Sequence, residues 1–552
     1  MQQQLLSTFW RRPLMPRYML TLAVAALLTL MLNQAFVTNI LAWGSAAELI
    51  PLTVLLLLIN LLICQLFSIG KLQKPWLLLL LTVAASSQYF MQHYGVLIDR
   101  SMLQNALETD SHEIAGLLNS AMLPYFTTYL LLPAVLLLWT KANSVTLSAK
   151  HYAVMLLLPL LLIGILSVSQ YQTLAPTLRQ HRELKHLATP FNGLNATIGL
   201  IKKALTQDIR PPFSPFAQDA HIVSNSAKPQ LVIMVLGETL RADQLSINGY
   251  ARNTPPHLAQ LELLNLGAIS SCGTATAISV PCMFSYLNHD SYDETVAKNS
   301  DNLLDVMQRA GVKVLWRDNN SGCKGMCDRI EVDHSFLTNN DLNCSAGSCP
   351  DSVLLSGLKQ KILTEFRHQQ SIFIVLHQQG NHGPEYFKRS VASQKQFLPE
   401  CETNLLNECR QQDIINAYDN AIVATDELLN DTIKLLETLS DEFDTSMLYV
   451  SDHGESLGEN GVYLHGLPYW MAPDAQTKVP MLMWFSPPVV NNSMLNTACI
   501  RNNALQINSH DMLFDSMLDL MQVASSQIRP QQDIFHGCRD LAQRLENSNQ
   551  GT

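Results

Sequence analysis

The chain has 552 residues, too many for one ordinary core, so two or more domains are expected. Its composition, 47% hydrophobic and 15% charged, averages over two unlike parts: the long apolar runs lie before about residue 172, and the rest reads as a soluble protein. A net charge of −10 without a long basic run excludes nucleic acid as the main partner.

In chain order, five apolar segments come first: Tyr18–Phe36, Leu49–Ile69, Pro75–Tyr94, Met122–Thr140 and Tyr152–Tyr171. Each is near the ~20 residues that a bilayer-crossing helix needs. The first is too long, and too closely followed by others, for a cleaved signal peptide. Positive charge alternates between the flanks. Arg11, Arg12 and Arg17 precede span one, Lys71 and Lys74 separate spans two and three, and Lys141 and Lys150 separate spans four and five. The intervening loops are acidic or neutral: Glu48 alone in the first, and Asp99, Glu108, Asp110 and Glu113 against Arg100 in the other, which either sits near the C-terminal part and touches a head group or, the favoured reading, is a solvated loop. The N-terminus is therefore expected inside and, five being odd, the large C-terminal part outside.

Cysteine placement gives independent support. Of 11 cysteines, Cys64 lies in a span and the other ten follow residue 270. They pair by position as Cys272/Cys282, Cys323/Cys327, Cys344/Cys349, Cys401/Cys409 and Cys499/Cys538. An even number in a part expected outside favours disulfides. Two halves of a zinc site, Cys323/Cys327 with Cys344/Cys349, are the rival.

The expected partition is a five-helix transmembrane domain over 1–172, a connector over 173–229 and an exterior domain over 230–552. Within the connector, Phe191–Leu205 has amphipathic helical spacing, with Lys202 and Lys203 open either to lipid head groups or to ordinary solvent. Arg210-Pro211-Pro212-Phe213-Ser214-Pro215 breaks structure. Beyond it, short β-rich runs (Leu231–Leu236, Val312–Trp316, Ser371–Leu376, Met447–Val450, Val479–Phe485) alternate with helical stretches (Leu303–Ala310, Val353–Phe366, Ile414–Leu439). That rhythm predicts an α/β domain with a largely parallel sheet, whose ligands bind beyond the carboxyl ends of the strands.

Polar residues gather at those ends. Glu238 follows the first run, Asn320, Ser321 and Lys324 the second, His377 and His382 the third, and Asp452, His453 and then His465 the fourth. Carboxylate and imidazole suit zinc. Adjacent Asp452 and His453 reach one ion only where the chain leaves strand geometry, as Gly454 permits. Glu455 reads as a partner to a ligand or a capping residue, and Asp419, Asp426 and Asp431 as a solvated helix face. Thr274, Thr276 and Ser279 between Cys272 and Cys282 are three candidate hydroxyls, and spacing does not choose among them.

The motifs QYFMQHYGVLIDRSML, GETLRADQLSINGYARNTPP, SCGTATAISVPCMFS, NNSGCKGMCDR, QGNHGPEYF and SDHGESLGENGVYLHGLPY, spread over nearly the whole chain, resemble the lipid A phosphoethanolamine transferases, which include the mobile colistin-resistance enzymes. These are membrane-bound members of the alkaline phosphatase superfamily with a sulfatase-like catalytic domain. The resemblance implies Thr276 as a nucleophile that becomes phosphorylated, and Glu238, Thr276, Asp452 and His453 as ligands of one zinc ion. It implies His382 and His465 as contacts to phosphate or to an additional zinc, Asn320, Ser321 and Lys324 as the surroundings of the phosphoethanolamine group, and the five cysteine pairs as disulfides. Ile278 departs from relatives that carry a larger polar aromatic there.

The implied protein is a multi-pass, monomeric enzyme of a bacterial inner membrane, with a cytoplasmic N-terminus and a periplasmic catalytic domain. It takes phosphatidylethanolamine as donor and lipid A as acceptor, and lowers surface negative charge, which confers resistance to polymyxin and cationic peptides. A threonine hydroxyl is a poor nucleophile until a metal or base activates it. Such an enzyme transfers in two steps, with a histidine protonating the departing diacylglycerol oxygen. Three rivals remain: a transferase acting on core sugar or another glycan, a zinc-dependent phosphatase or phosphodiesterase, and a non-catalytic membrane scaffold or sensor.

Overall fold

The structure, a computed structural model, describes residues 12–42, 46–108, 111–142, 149–207, 212–223, 228–338, 344, 349–369, 371–493 and 495–539. Arg11, Asp110, Arg210 and Pro211 of the sequence reading lie outside the described residues. The chain forms two compact units, residues 1–103 with 118–203, and residues 104–117 with 204–552.

The first unit is helical. Among the described residues, three of its helices are long and apolar enough to cross a membrane, Glu48–Gln65, Met122–Trp139 and Lys150–Ser169; a fourth span results if Arg17–Met31 and Gln34–Ala42, bent by 44°, count as one. The third expected segment does form a helix, Gln73–Tyr94, but its second half, SSQYFMQHY, is polar. Its buried face packs Leu77, Leu80, Leu81 and Ala84 against Leu20, Val24, Ala25 and Leu28. Side chains also bond between helices, Asn60 Nδ2 to Thr29 Oγ1 at 3.1 Å and Gln73 Nε2 to Thr21 Oγ1 at 3.0 Å. The Lys150–Ser169 window is only 6% buried, so its leucines form an apolar surface that water would not tolerate. Phe191–Gln207 is a helix, as its spacing predicts.

The second unit is built on a seven-stranded sheet: β1 (Gln230–Gly237), β2 (Leu264–Ser270), β3 (Lys313–Asp318), β4 (Glu331–Val332), β5 (Ser371–His377), β6 (Asp444–Ser451) and β7 (Lys478–Phe485). Their spatial order is β2-β7-β6-β1-β5-β3-β4. β1 runs parallel to β5 and β6, and β3 parallel to β4 and β5; β7 is antiparallel to β2 and β6. Both faces are covered. Val232, Met234 and Leu236 enter one core with helices Leu303–Ala310 and Leu513–Leu520, whereas Leu231, Ile233 and Val235 enter the other with helix Gln411–Glu437. Two-sided burial is why the strands read as continuous apolar runs rather than as alternation.

Two edge strands escaped the sequence reading. β2, LNLGAIS, is interrupted by Asn265 and Gly267, and β4 is two residues long. The stretch expected as one helix over Val353–Phe366 is broken at Gly357, whose φ of +66° suits glycine, into a 3₁₀ turn, a short helix and a π turn. Asp419 and Asp426 are not a solvated face. Both are fully buried, Asp419 against Arg252 and Asp426 accepting from the backbone N–H groups of His257 and Leu258; Asp431 is exposed. Nor is the acidic loop simply solvated. Its segment 104–117 belongs to the second unit, where Gln104 Nε2 donates to Glu294 and Asn404 Nδ2 to the Gly116 carbonyl.

All five cysteine pairs are disulfides: Cys272–Cys282, Cys323–Cys327, Cys344–Cys349, Cys401–Cys409 and Cys499–Cys538. Cys64 is free and buried. Pairing of Cys323 with Cys327, and of Cys344 with Cys349, removes the thiolate zinc site.

Candidate active site

Because β1, β3, β5 and β6 are parallel neighbours, the residues that follow them emerge at one end of the sheet. Glu238 leaves β1 just before Thr239, which takes a left-handed φ of +55° and whose carbonyl accepts from Tyr418 Oη at 2.6 Å. Asp452 and His453 leave β6. The Glu238, Asp452 and His453 side chains are fully buried, and one ligand atom from each lies within 4.8 Å of the others.

The hydrogen bonding of this cluster is one-sided. Glu238 Oε2 accepts from Thr276 Oγ1 at 3.0 Å and from Asn320 Nδ2 at 2.7 Å. Asp452 Oδ1 accepts from the backbone N–H of His453 at 2.7 Å and of Thr239 at 3.3 Å. The second oxygens, Glu238 Oε1 and Asp452 Oδ2, are buried without a hydrogen-bond partner. His453 Nδ1 lies 2.9 Å from the Gly454 carbonyl, which can only accept, so the proton sits on Nδ1 and Nε2 keeps its lone pair. Nε2 is 3.3 Å from Glu238 Oε1 and 3.4 Å from Asp452 Oδ2. Two unpaired buried carboxylate oxygens facing an unprotonated imidazole nitrogen are a donor set that fits a divalent cation such as zinc.

Without a cation this arrangement is costly, and the titrations register that. Burial, then the neighbouring Asp452 charge, pushes Glu238 up; burial pushes Asp452 up to about 6. Burial, then His465, pushes His453 down to about 4, leaving it neutral and able to ligate.

The three candidate hydroxyls separate cleanly. Thr274 Oγ1 donates to the Leu467 carbonyl at 2.6 Å and Ser279 Oγ to the Asp452 carbonyl at 2.5 Å, so both serve as ties. Thr276 Oγ1 instead faces the cluster, 3.0 Å from Glu238 Oε2 and 3.3 Å from His453 Nε2. Thr276 is the first residue of the helix Thr276–Met283, and its N-cap, Ala275, has only a methyl group, which cannot accept from the helix N–H groups. That end favours an anion.

Two further histidines close the site. The His453 and His465 rings are 4.4 Å apart and those of His465 and His382 5.2 Å. His465 Nδ1 lies 2.7 Å from Glu455 Oε2, and Tyr386 Oη donates to Glu455 Oε1 at 2.6 Å. Burial alone would lower the His465 titration, but the Glu455 carboxylate raises it above the usual value. Glu455 is thus a partner of His465 and not a cap. His382 follows Asn381, whose N–H donates to the Glu238 carbonyl at 3.0 Å.

Of the residues that follow β3, Asn320 reaches the cluster through Glu238. Ser321 donates its N–H to Asn320 Oδ1 at 2.6 Å. Lys324, held at φ +51°, places its ammonium on the carbonyls of Ser321 at 3.0 Å and Glu108 at 3.4 Å. Behind Asn320 lies a pair that the sequence reading did not single out as functional. His377 is fully buried, with Nδ1 2.8 Å from Asp318 Oδ2 and Nε2 3.3 Å from Asn320 Nδ2. Burial would raise Asp318, but the His377 partner holds it down at about 2. The position of His377 at a strand end was the available signal; its pairing required the fold.

The sulfatase family model matches residues 230–523, and the model described as phosphoethanolamine transferase EptA/EptB matches residues 56–205. The chain is 37% identical to phosphoethanolamine transferase EptA of Escherichia coli K12 over 479 residues, 86% of this chain and 87% of that one. It belongs to the phosphoethanolamine transferase family. Phosphatidylethanolamine transferase Mcr-1 of Escherichia coli is 37% identical over 543 residues, 95% of this chain and 98% of that one. The solved integral membrane lipooligosaccharide phosphoethanolamine transferase A of Neisseria meningitidis superposes with a TM-score of 0.90 at 32% identity, covering 96% of this chain and 99% of that one. An EptA-like fold, with a helical membrane unit and a sulfatase-like α/β unit, is therefore the architecture.

Proposed function

We propose that this transferase moves phosphoethanolamine from phosphatidylethanolamine to a phosphate of lipid A through a covalent phosphoethanolamine ester of Thr276. One observation carries the reading: of three hydroxyls inside the Cys272–Cys282 loop, only that of Thr276 faces the Glu238–Asp452–His453 cluster.

Zinc held by Glu238, Asp452, His453 and Thr276 would supply Lewis acidity that lowers the threonine pKa and neutralises phosphoryl charge. The chain's own groups do the rest. The Thr276 hydroxyl proton already points at Glu238 Oε2. As Thr276 Oγ bonds to phosphorus its proton passes to Glu238 Oε2, the bond to the glycerol oxygen breaks, and that oxygen takes a proton from His465 or His382. Glu455 keeps His465 in the state that has a proton to give. A lipid A phosphate oxygen then attacks the same phosphorus, passing its proton to the histidine; the bond from phosphorus to Thr276 Oγ breaks, and Thr276 takes its proton back from Glu238. Asn320, Ser321 and Lys324 are assigned to the head group, with Asn320 also holding Glu238; His382 and His465 contact phosphate or a second zinc.

The chain acts as a monomer in a bacterial inner membrane, with five spans, a cytoplasmic N-terminus and a periplasmic catalytic domain. Its partition is 1–172, 173–229 and 230–552. Supporting this are the alternating positive loops and the ten cysteines, all paired, that follow residue 270. The lowered lipid charge would confer polymyxin resistance.

Mass spectrometry of lipid A from a host lacking the modification tests this. Wild type should add phosphoethanolamine and Thr276→Ala should not. Modified core sugar with unmodified lipid A would move the acceptor, and released phosphoethanolamine without transfer would make the enzyme a hydrolase.

A further inference from the structure

His510 lies far in sequence from every strand-end motif, yet it joins two of them. It opens the turn before the helix Leu513–Leu520, and its side chain is 2% exposed. Nδ1 accepts from the Cys272 N–H at 3.0 Å, and Nε2 lies 3.0 Å from the Ser451 carbonyl oxygen. An amide N–H only donates and a carbonyl only accepts. Nδ1 must therefore carry the lone pair and Nε2 the proton, and a second proton on Nδ1 would set N–H against N–H. Burial agrees, pushing the ring down to about 3.

The two partners are informative. Cys272 opens the stapled segment that carries Thr276, and Ser451 ends β6 immediately before Asp452 and His453. The turn bearing His510 is itself anchored, since the Ser270 N–H at the end of β2 donates to the Asn508 carbonyl at 3.0 Å.

We propose that His510 is a positioning residue for phosphoryl transfer: its imidazole clamps the Cys272 amide to the Ser451 carbonyl and so sets the distance from Thr276 to Asp452 and His453. The inference rests on the reading of Thr276 as nucleophile. It makes no demand on substrate contact, because both ring nitrogens are consumed by backbone. A separation of 3.3 Å between Thr276 Oγ1 and His453 Nε2 leaves little tolerance, and errors of about 1 Å cost roughly 10²-fold in rate.

The test uses the full-length zinc-loaded enzyme and phosphatidylethanolamine in mixed micelles. It follows attachment of phosphoethanolamine to Thr276 by intact mass in single turnover, with zinc content and thermal midpoint measured alongside. His510→Leu keeps the bulk and loses both bonds. Its maximal rate should fall tenfold or more, while the donor concentration at half-maximal rate and the zinc content stay at wild-type values. In His510→Asn, Oδ1 takes the place of Nδ1 and should recover several-fold of that loss. His510→Gln keeps a donor for Ser451 but loses Cys272 and should recover less. Should His510→Leu not fold, the order Asn above Gln still decides. A wild-type rate in the leucine variant overturns the proposal, as does Gln equal to or above Asn, or a rate loss that only follows lost zinc or a lower midpoint. A wild type that never carries the group on Thr276 overturns the nucleophile reading and this inference with it.

Discussion

Replacing Gly454 by alanine adds one methyl group where the structure has no room. A Cβ there would lie 2.1 Å from the Ala475 carbonyl oxygen, 3.0 Å from its carbon and 3.3 Å from Gln476 Cα, all backbone atoms. Real Cβ atoms essentially never come within 3.0 Å, so the two segments must separate by 3.0 − 2.1 = 0.9 Å at least. The far side resists. Gln476 Nε2 donates to Ser456 Oγ at 2.9 Å and to the Leu464 carbonyl at 3.1 Å, and its Oε1 accepts from the Leu467 N–H at 3.2 Å. The displacement therefore falls on His453 and Glu455. We expect a stability loss of about 1–3 kcal/mol from overpacking and a rate loss of roughly 10²-fold from misplacement, with weaker zinc binding. Thermal unfolding, a zinc titration and lipid A mass spectrometry read the three effects. Wild-type zinc affinity and wild-type rate in Gly454→Ala would refute the reasoning.

Other consequences follow from the same geometry. Asp318→Ala leaves buried His377 without its partner and should destabilise by about 3–5 kcal/mol in urea unfolding. Since Asp318 is held near 2, its contribution is present above the ordinary carboxylate pKa and is lost as pH falls toward 2. Chelation should lower the thermal midpoint more at pH 7 than at pH 5. Asp452, raised to about 6 by burial, is mostly protonated in the folded metal-free protein at pH 5, so the metal-free fold loses stability as pH rises through 6, where zinc compensates most. Replacing both Cys272 and Cys282 by serine opens a loop of sequence separation 10, costing about 2–3 kcal/mol in thermal unfolding, with the maximal rate falling further than that loss explains.

Much of the fold was legible because two-sided burial writes parallel strands as apolar runs, and the strand-end rule then collected Glu238, Asn320, His382, Asp452 and His465 at one end of the sheet. The illegible parts have physical reasons. β2 is interrupted by polar Asn265 and by Gly267, and Gly357 breaks a periodic helix. Asp419 and Asp426 looked solvated because helical spacing does not reveal that Arg252 and the His257 turn bury them. The span count is equally a matter of composition, since Gln73–Tyr94 is helical but half polar. At the site, spacing offered three hydroxyls, and only the ties of Thr274 to Leu467 and of Ser279 to Asp452 separate them from Thr276. The resemblance had singled out Thr276; the hydrogen bonds supply a reason. His510 carried no signal at all, because its partners are backbone groups more than two hundred residues and fifty-nine residues away in sequence.

The central claim is a covalent ester on Thr276, and intact mass of the zinc-loaded protein after incubation with phosphatidylethanolamine tests it most directly. The account predicts one added phosphoethanolamine, located on Thr276 by fragmentation, discharged by lipid A and absent in Thr276→Ala. Transfer to lipid A at an undiminished rate by Thr276→Ala, or an adduct located on Thr274 or Ser279, would contradict it.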